Sequence, residues 1–240
     1  MPYFFYRIDP YYLYLVLPCI LLSLLASIHV NNTFRKYSSQ ISSKGVTGEQ
    51  AAAVVLKKYG ISNVRIERIS GNLNDHYDPR SNVIRLSDKV YSSASTAAIG
   101  VACHEAGHAV QYALGYAPIK IRTAIIPVTN FGSALALPLI LLGFIISGLT
   151  TLSDVFIYAG IACFGLSLIF QLITLPVEFN ASHRALQIIK NANILSQAEQ
   201  IGAAKTLRAA AMTYLAATAI SLTQFLRLIL LFGNRRNRRN

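Results

Sequence analysis

Residues 101–115 read "VACHEAGHAVQYALG" and set His104, Glu105 and His108 in an otherwise apolar run. Two imidazoles and a carboxylate in such a run cost free energy unless something satisfies them. On a helix, His104 and His108 lie one turn apart on one face. From that spacing both imidazoles reach a single zinc ion at ~2.0–2.1 Å. Glu105 is turned by one residue step, which directs its carboxylate to a metal-bound water rather than to the metal. Zinc lowers the pKa of such a water to about 7, and a neighbouring carboxylate can take its proton as a general base. The expected chemistry is attack of water on a polarised carbonyl, as in peptide hydrolysis. The competing explanation is a satisfied histidine pair in an alanine-rich helix. It needs H-E-x-x-H to arise by chance from five histidines and five glutamates in 240 residues.

The elements that must position these residues are mostly apolar. The chain is 53% hydrophobic and 13% charged, whereas a soluble domain carries about a quarter charged residues. Four stretches approach the ~20 residues that a bilayer requires: 11–30, 125–149, 155–175 and 209–232. Gln224 and Arg227 interrupt the last, and Arg227 is close enough to its end to snorkel. The first stretch lacks a clear cleavage site and reads as a retained anchor rather than a signal peptide. Cys19, Cys103 and Cys163 form no disulfide framework and read as packing residues. The net charge of +12 is spread through loops flanking the spans, including the tail "NRRNRRN". It therefore points to anionic headgroups of the lipid bilayer, not to nucleic acid.

Between the first two spans, "TGEQ" at 47–50 forms a capping box that opens a helix ending at Gly60. "NVRIERI" alternates as a half-buried strand, the cluster "GNLNDHYDPRSN" reads as turn, and "VIRLS" as a second strand. The helix bearing the motif should run over 96–114 and stop at Gly115. A further capping box, "SQAE" at 196–199, starts the helix leading into the last span. The expected divisions are an anchor (1–30), a catalytic region (31–124), a transmembrane hairpin (125–175), a helix supplying a third zinc ligand (176–208), and a last span with its basic tail (209–240).

A catalytic zinc takes three protein ligands and keeps one position open. Asp9 and Asp154 fall on the far side of the membrane, and Glu49, Glu67 and Asp88 read as cap or surface residues. Glu178 stands near the start of a helix expected from Pro176, on the same side as the motif because the second and third spans form a hairpin. His183 lies five residues on, about 140° around that helix, so the two should not share an ion. Glu178 is favoured, followed by His183 and then His76. The competing role for Glu178 is a first-turn carboxylate complementing the helix dipole.

"DHYDP", "IGVACHEAGHAVQ" and "LPVEFNASHRAL" together resemble the YugP-type membrane zinc metallopeptidases of bacteria, over nearly the whole chain. A looser resemblance runs to the HtpX-like and CAAX-prenyl endopeptidases, which are gluzincins. These resemblances imply a mainly α membrane protein, with about four transmembrane helices and a small α+β gluzincin-like catalytic region. They imply a Zn2+ ion held by His104, His108 and Glu178, with Glu105 as catalytic base. They also suggest that the strand at 83–86 lies at the lip of the cleft and aligns an extended substrate by β-addition. In the looser relatives the segment is E-[FY]-x-A-D, whose aspartate supports a zinc ligand. Here Ser182 stands in its place, leaving Asn180, Ser182 or another carboxylate to serve. Tyr77 and His183 are candidates to steady the oxyanion.

The basic residues Arg35, Lys36, Lys44, Lys120 and Arg122 flank the catalytic region, and Arg184, Lys190, Lys205 and Arg208 lie between the last two spans. The short loop "TTLSD" has none, so the catalytic region is expected in the cytoplasm of a bacterial plasma membrane. The tail opposes this: four complete spans would put it outside. The expected function is integral-membrane zinc endopeptidase activity on proteins or peptides at or near the bilayer. The alternatives are a non-catalytic scaffold or chaperone-like protein with a metal site, and a metal-dependent hydrolase of other substrates.

Overall fold

The computed structural model describes residues 9–72, 74–147, 149–150 and 152–233. The first part of the anchor (1–8) and the basic tail (234–240) lie outside the described residues. In order, the elements are α1 (Leu17–Ser38), α2 (Gly48–Lys58), β1 (Arg65–Ile69), β2 (His76–Asp78), β3 (Val83–Ser87), α3 (Asp88–Tyr91), α4 (Thr96–Ala113), α5 (Ala117–Ile145), α6 (Leu152–Asn191) and α7 (Gln197–Phe232). A π-helical turn, Tyr12–Val16, precedes α1. The protein is thus a mainly α membrane protein with a small α+β region. Among the described residues, four helices are long and apolar enough to cross a membrane: Tyr12–Ser38, α5, α6 and α7.

The chain divides into two compact units, 26–120 with 175–213, and 1–25 with 121–174 and 214–240. In the first, α4 is buried on nearly every face, from Thr96 to Gln111. Its alanines and glycines let neighbours approach closely, and it packs with Val55, Ile84, Leu86, Ile188 and Leu195 in one core. The ends of its helices carry the expected signals. Thr47 and Gln50 cap α2 reciprocally, Ser95 accepts from the Ala98 N–H at 3.2 Å, and Ser196 with Glu199 caps α7. Gly60 and Gly115 end α2 and α4 with φ of +67° and +68°, where a Cβ would be strained.

The sheet has three strands rather than two, in the order β1-β3-β2, with β1 parallel and β2 antiparallel to β3. β2 falls inside the segment expected to be turn. Its three residues are too few to show a period-two pattern among turn formers. β3 is central and mostly buried, so both its edges are hydrogen-bonded and it cannot receive an added strand. The expectation of substrate pairing at 83–86 is therefore overturned, and the available edge on that side is β2.

α6 also differs from expectation, because Pro176 lies inside it and not in a first turn. The missing N–H removes one i→i−4 bond, which a long helix packed on both sides of the proline tolerates. At ~1.5 Å per residue its 40 residues span about 60 Å, roughly twice the hydrocarbon thickness. Glu178 consequently lies deep within a helix, which removes the first-turn dipole role as its explanation.

The second unit is a set of helical segments around Ile140, Ile157, Ile161 and Leu228, with Phe164, Phe225 and Phe232 against them. A Cβ on Gly160 would lie 2.7 Å from the Ala136 carbonyl oxygen, so glycine lets α5 and α6 pack backbone to backbone, as membrane helices do. Arg227 does not snorkel. It pairs with Asp9 at 2.5 Å and lies 5.3 Å from the Tyr12 ring centroid. The Tyr158 hydroxyl donates to the Phe232 carbonyl at 3.3 Å. The end of α7 thus lies beside the residues that precede α1.

Candidate metal centre

α4 presents His104 and His108 one turn apart, their rings edge to face with centroids 4.7 Å apart. α6 presents Glu178, whose Oε2 lies 3.2 Å from His104 Nε2 and 3.6 Å from His108 Nε2. One ligand atom from each residue falls within 4.8 Å of the others. The two helices approach because of Gly107, the fourth residue of the motif. A Cβ there would sit 2.8 Å from the Ala181 carbonyl oxygen. His104 is partly buried, and His108 and Glu178 are buried.

The donor set fits zinc chemically, because the outer ring nitrogens are already engaged. His108 Nδ1 lies 3.0 Å from Gln111 Oε1. The Gln111 amide is itself oriented, since its Nε2 donates to the Val177 carbonyl at 2.8 Å and to Asn180 Oδ1 at 3.1 Å. Asn180 Oδ1 also accepts from Arg184 Nε at 2.7 Å. A chain from Arg184 through Asn180 and Gln111 thus places an acceptor on His108 Nδ1. The proton is held at Nδ1 and the Nε2 lone pair is turned toward Glu178. On His104, Nδ1 meets Ser182 Oγ at 3.0 Å. Ser182 therefore fills the position at which the looser relatives have aspartate, as a neutral partner rather than a carboxylate.

Glu105 lies beside this group, and its Oε2 accepts from the Tyr77 N–H of β2 at 3.1 Å. Burial pushes its carboxyl pKa above the usual range, with the His104 and His108 imidazoles opposing the shift and Glu178 and Asp75 adding to it. Burial works against the His108 imidazolium, but the Glu178 and Glu105 carboxylates outweigh it and hold its pKa above the ordinary value. Asp75 ties the β2 loop to Ser87, accepting from its N–H at 2.7 Å and its hydroxyl at 3.1 Å. Cys103 belongs to the core. Burial pushes its thiol up to about 12, so it stays protonated and unreactive.

The residues expected to act together do converge: His104, His108 and Glu178, with Glu105 adjacent. His183, His76 and His29 are exposed and stand apart from this group. The Tyr77 hydroxyl donates to Asn82 at 2.9 Å, which leaves its main-chain N–H as the group nearest the site. Gln111 was not foreseen. Its signal was a polar residue three positions after His108, on the same face of a helix that is otherwise apolar there.

A family model described as "Putative neutral zinc metallopeptidase" matches residues 12–233. A relative from Bacillus subtilis (strain 168), named "Putative membrane protease YugP", is 43% identical over 226 residues, covering 94% of this chain and 98% of its own length. No solved structure matches the chain. The family's metal is zinc, and the group formed by His104, His108 and Glu178 is able to hold such an ion.

Proposed function

The chain belongs to this family of neutral zinc metallopeptidases, and from that premise we propose that it is an integral-membrane endopeptidase using His104, His108 and Glu178 as metal ligands and Glu105 as general base. The observation that carries the reading is the convergence of three ligand atoms within 4.8 Å, with a buried fourth side chain, Glu105, beside them and outside the ligand set.

Zinc, when bound, supplies Lewis acidity that activates water and polarises a carbonyl. His104 and His108 present Nε2 because Ser182 and Gln111 engage Nδ1. Glu105, its proton affinity raised by burial, accepts the proton of the attacking water at a carboxylate oxygen and passes it to the leaving amine. β2 is the edge strand whose Tyr77 N–H already meets Glu105. An extended peptide would be aligned there by main-chain hydrogen bonds. A metal held only for structure is usually closed by four protein ligands, and Glu105 would have no part in such a site.

The test pairs two variants in detergent-purified protein. Glu105→Gln should keep zinc and lower cleavage of a labelled unfolded protein by about 10²- to 10⁴-fold. Glu178→Ala should lose or weaken zinc binding and activity together. Full activity in Glu105→Gln removes the proposed base. Unchanged zinc in Glu178→Ala removes the proposed third ligand.

A further inference from the structure

A cavity of about 670 Å3 opens within the unit formed by 26–120 and 175–213 and is lined by none of the metal-site residues. Its walls come from the C-terminal half of α1, from Phe179 on α6, and from 205–212 on α7. Phe179 and Met212 are 44% and 51% exposed and form an apolar wall with alanines of α7. Lys36, Lys205 and Arg208 also line the cavity, and no carboxylate does. Among the described residues none of these three has a carboxylate partner, whereas Arg65, Arg68, Arg85 and Arg227 do. Lys205 and Arg208 are one turn apart on one face, where like charges repel. All three side chains are exposed, and Lys36 Nζ also lies 5.7 Å from the Tyr37 ring centroid; an anion bound among them would relieve their mutual repulsion.

Position along the chain identifies which anion. The lining part of α1 follows its apolar run, which ends at Val30 before "NNTFRKYS". Phe179 follows the apolar stretch 155–175, and Lys205 and Arg208 precede the apolar run from Ala209. Each helix therefore contributes the turns at which hydrocarbon gives way to headgroups, the depth at which aromatic and basic residues concentrate. A free phosphate would satisfy the cations and leave the Phe179 and Met212 wall in water. A zwitterionic lipid brings its own cation. We propose that this cavity binds an anionic phospholipid, its phosphate held by Lys36, Lys205 and Arg208 and its acyl chain lying against Phe179 and Met212. Basic pockets between membrane helices are suited to such headgroups.

The chain contains no tryptophan, so Phe179→Trp creates a single fluorescent reporter on the apolar wall. The full-length variant would be reconstituted in phosphatidylcholine vesicles containing, at equal mole fraction, either phosphatidylglycerol or phosphatidylcholine brominated on its acyl chains. Quenching by brominated phosphatidylglycerol should exceed that by brominated phosphatidylcholine at least about threefold. The difference should vanish when Lys36→Gln, Lys205→Gln and Arg208→Gln are added, with helicity and zinc content unchanged. Equal quenching by the two lipids, or a preference that survives neutralisation, overturns the proposal. So does loss of the preference when chloride is replaced by inorganic phosphate at the same ionic strength, because the occupant is then a free anion. Native mass spectrometry of the unsubstituted chain gives an independent reading. It should retain one phosphatidylglycerol over phosphatidylcholine, and no such preference refutes the site even if the variants fold poorly.

Discussion

Gln111 shows how much of the metal centre rests on side chains that never touch the metal. It is fully buried, and its carbonyl oxygen holds a proton at His108 Nδ1, so that the neutral imidazole has its lone pair at Nε2. Gln111→Leu preserves the volume and removes that acceptor. Its zinc affinity, measured by competition with a chromogenic chelator, should fall about 10- to 100-fold, while helicity stays at the wild-type value. Ser182 exerts weaker control over His104, because a hydroxyl can donate or accept. Ser182→Ala should therefore weaken zinc less than Gln111→Leu in the same assay.

Among the elements, the decisive contact is between α4 and α6. The imidazoles come from one helix and the carboxylate from another, so ligand geometry depends on how closely the two backbones approach. Gly107 sets that distance, since a methyl group would meet the Ala181 carbonyl at 2.8 Å. Gly107→Ala should destabilise the fold by about 1–3 kcal/mol through overpacking and also loosen the ion by moving Glu178 away. Thermal melting and zinc stoichiometry in the same detergent check both effects. A lower melting temperature with zinc fully retained would mean that α6 follows α4 as a rigid pair. β2 works at the same scale: three residues, anchored through Asp75 and Ser87, bring one main-chain N–H to Glu105.

For the whole molecule, the question is which side of the membrane the metal centre faces. The basic residues between the first two spans and between the last two argue for the cytoplasm. The Asp9–Arg227 pair joins the residues that precede α1 to the last turns of α7. In a background lacking the native cysteines, Leu149→Cys and His183→Cys place thiols at an 84% exposed residue between α5 and α6 and at an exposed residue of α6. A membrane-impermeant maleimide should label the first in intact cells and the second only after permeabilisation. The reverse pattern would put the metal centre outside.

The sequence by itself determined the parts governed by local spacing and composition. H-E-x-x-H on a helix puts two candidate ligands on one face, apolar length marks the membrane helices, and Thr47, Ser196, Gly60 and Gly115 mark helix ends through hydrogen bonds and dihedral angles within a few residues. It also put Glu178 ahead of His183 and His76 as the candidate third ligand, by its place on a helix on the same side of the membrane as the motif. Only the tertiary structure decided what depends on residues far apart in the chain. β2 was invisible because a three-residue strand exists only by pairing with β3. Pro176 read as a helix start because local propensity cannot register packing that carries a helix through a proline. The support on His104 comes from Ser182, 78 residues away, and that on His108 from an amide oriented by the Val177 carbonyl of α6. Arg227 appeared to need water until Asp9, 218 residues distant, supplied the opposite charge. Spacing along the chain could nominate the ligands, but their partners are fixed by packing between helices, which no local pattern encodes.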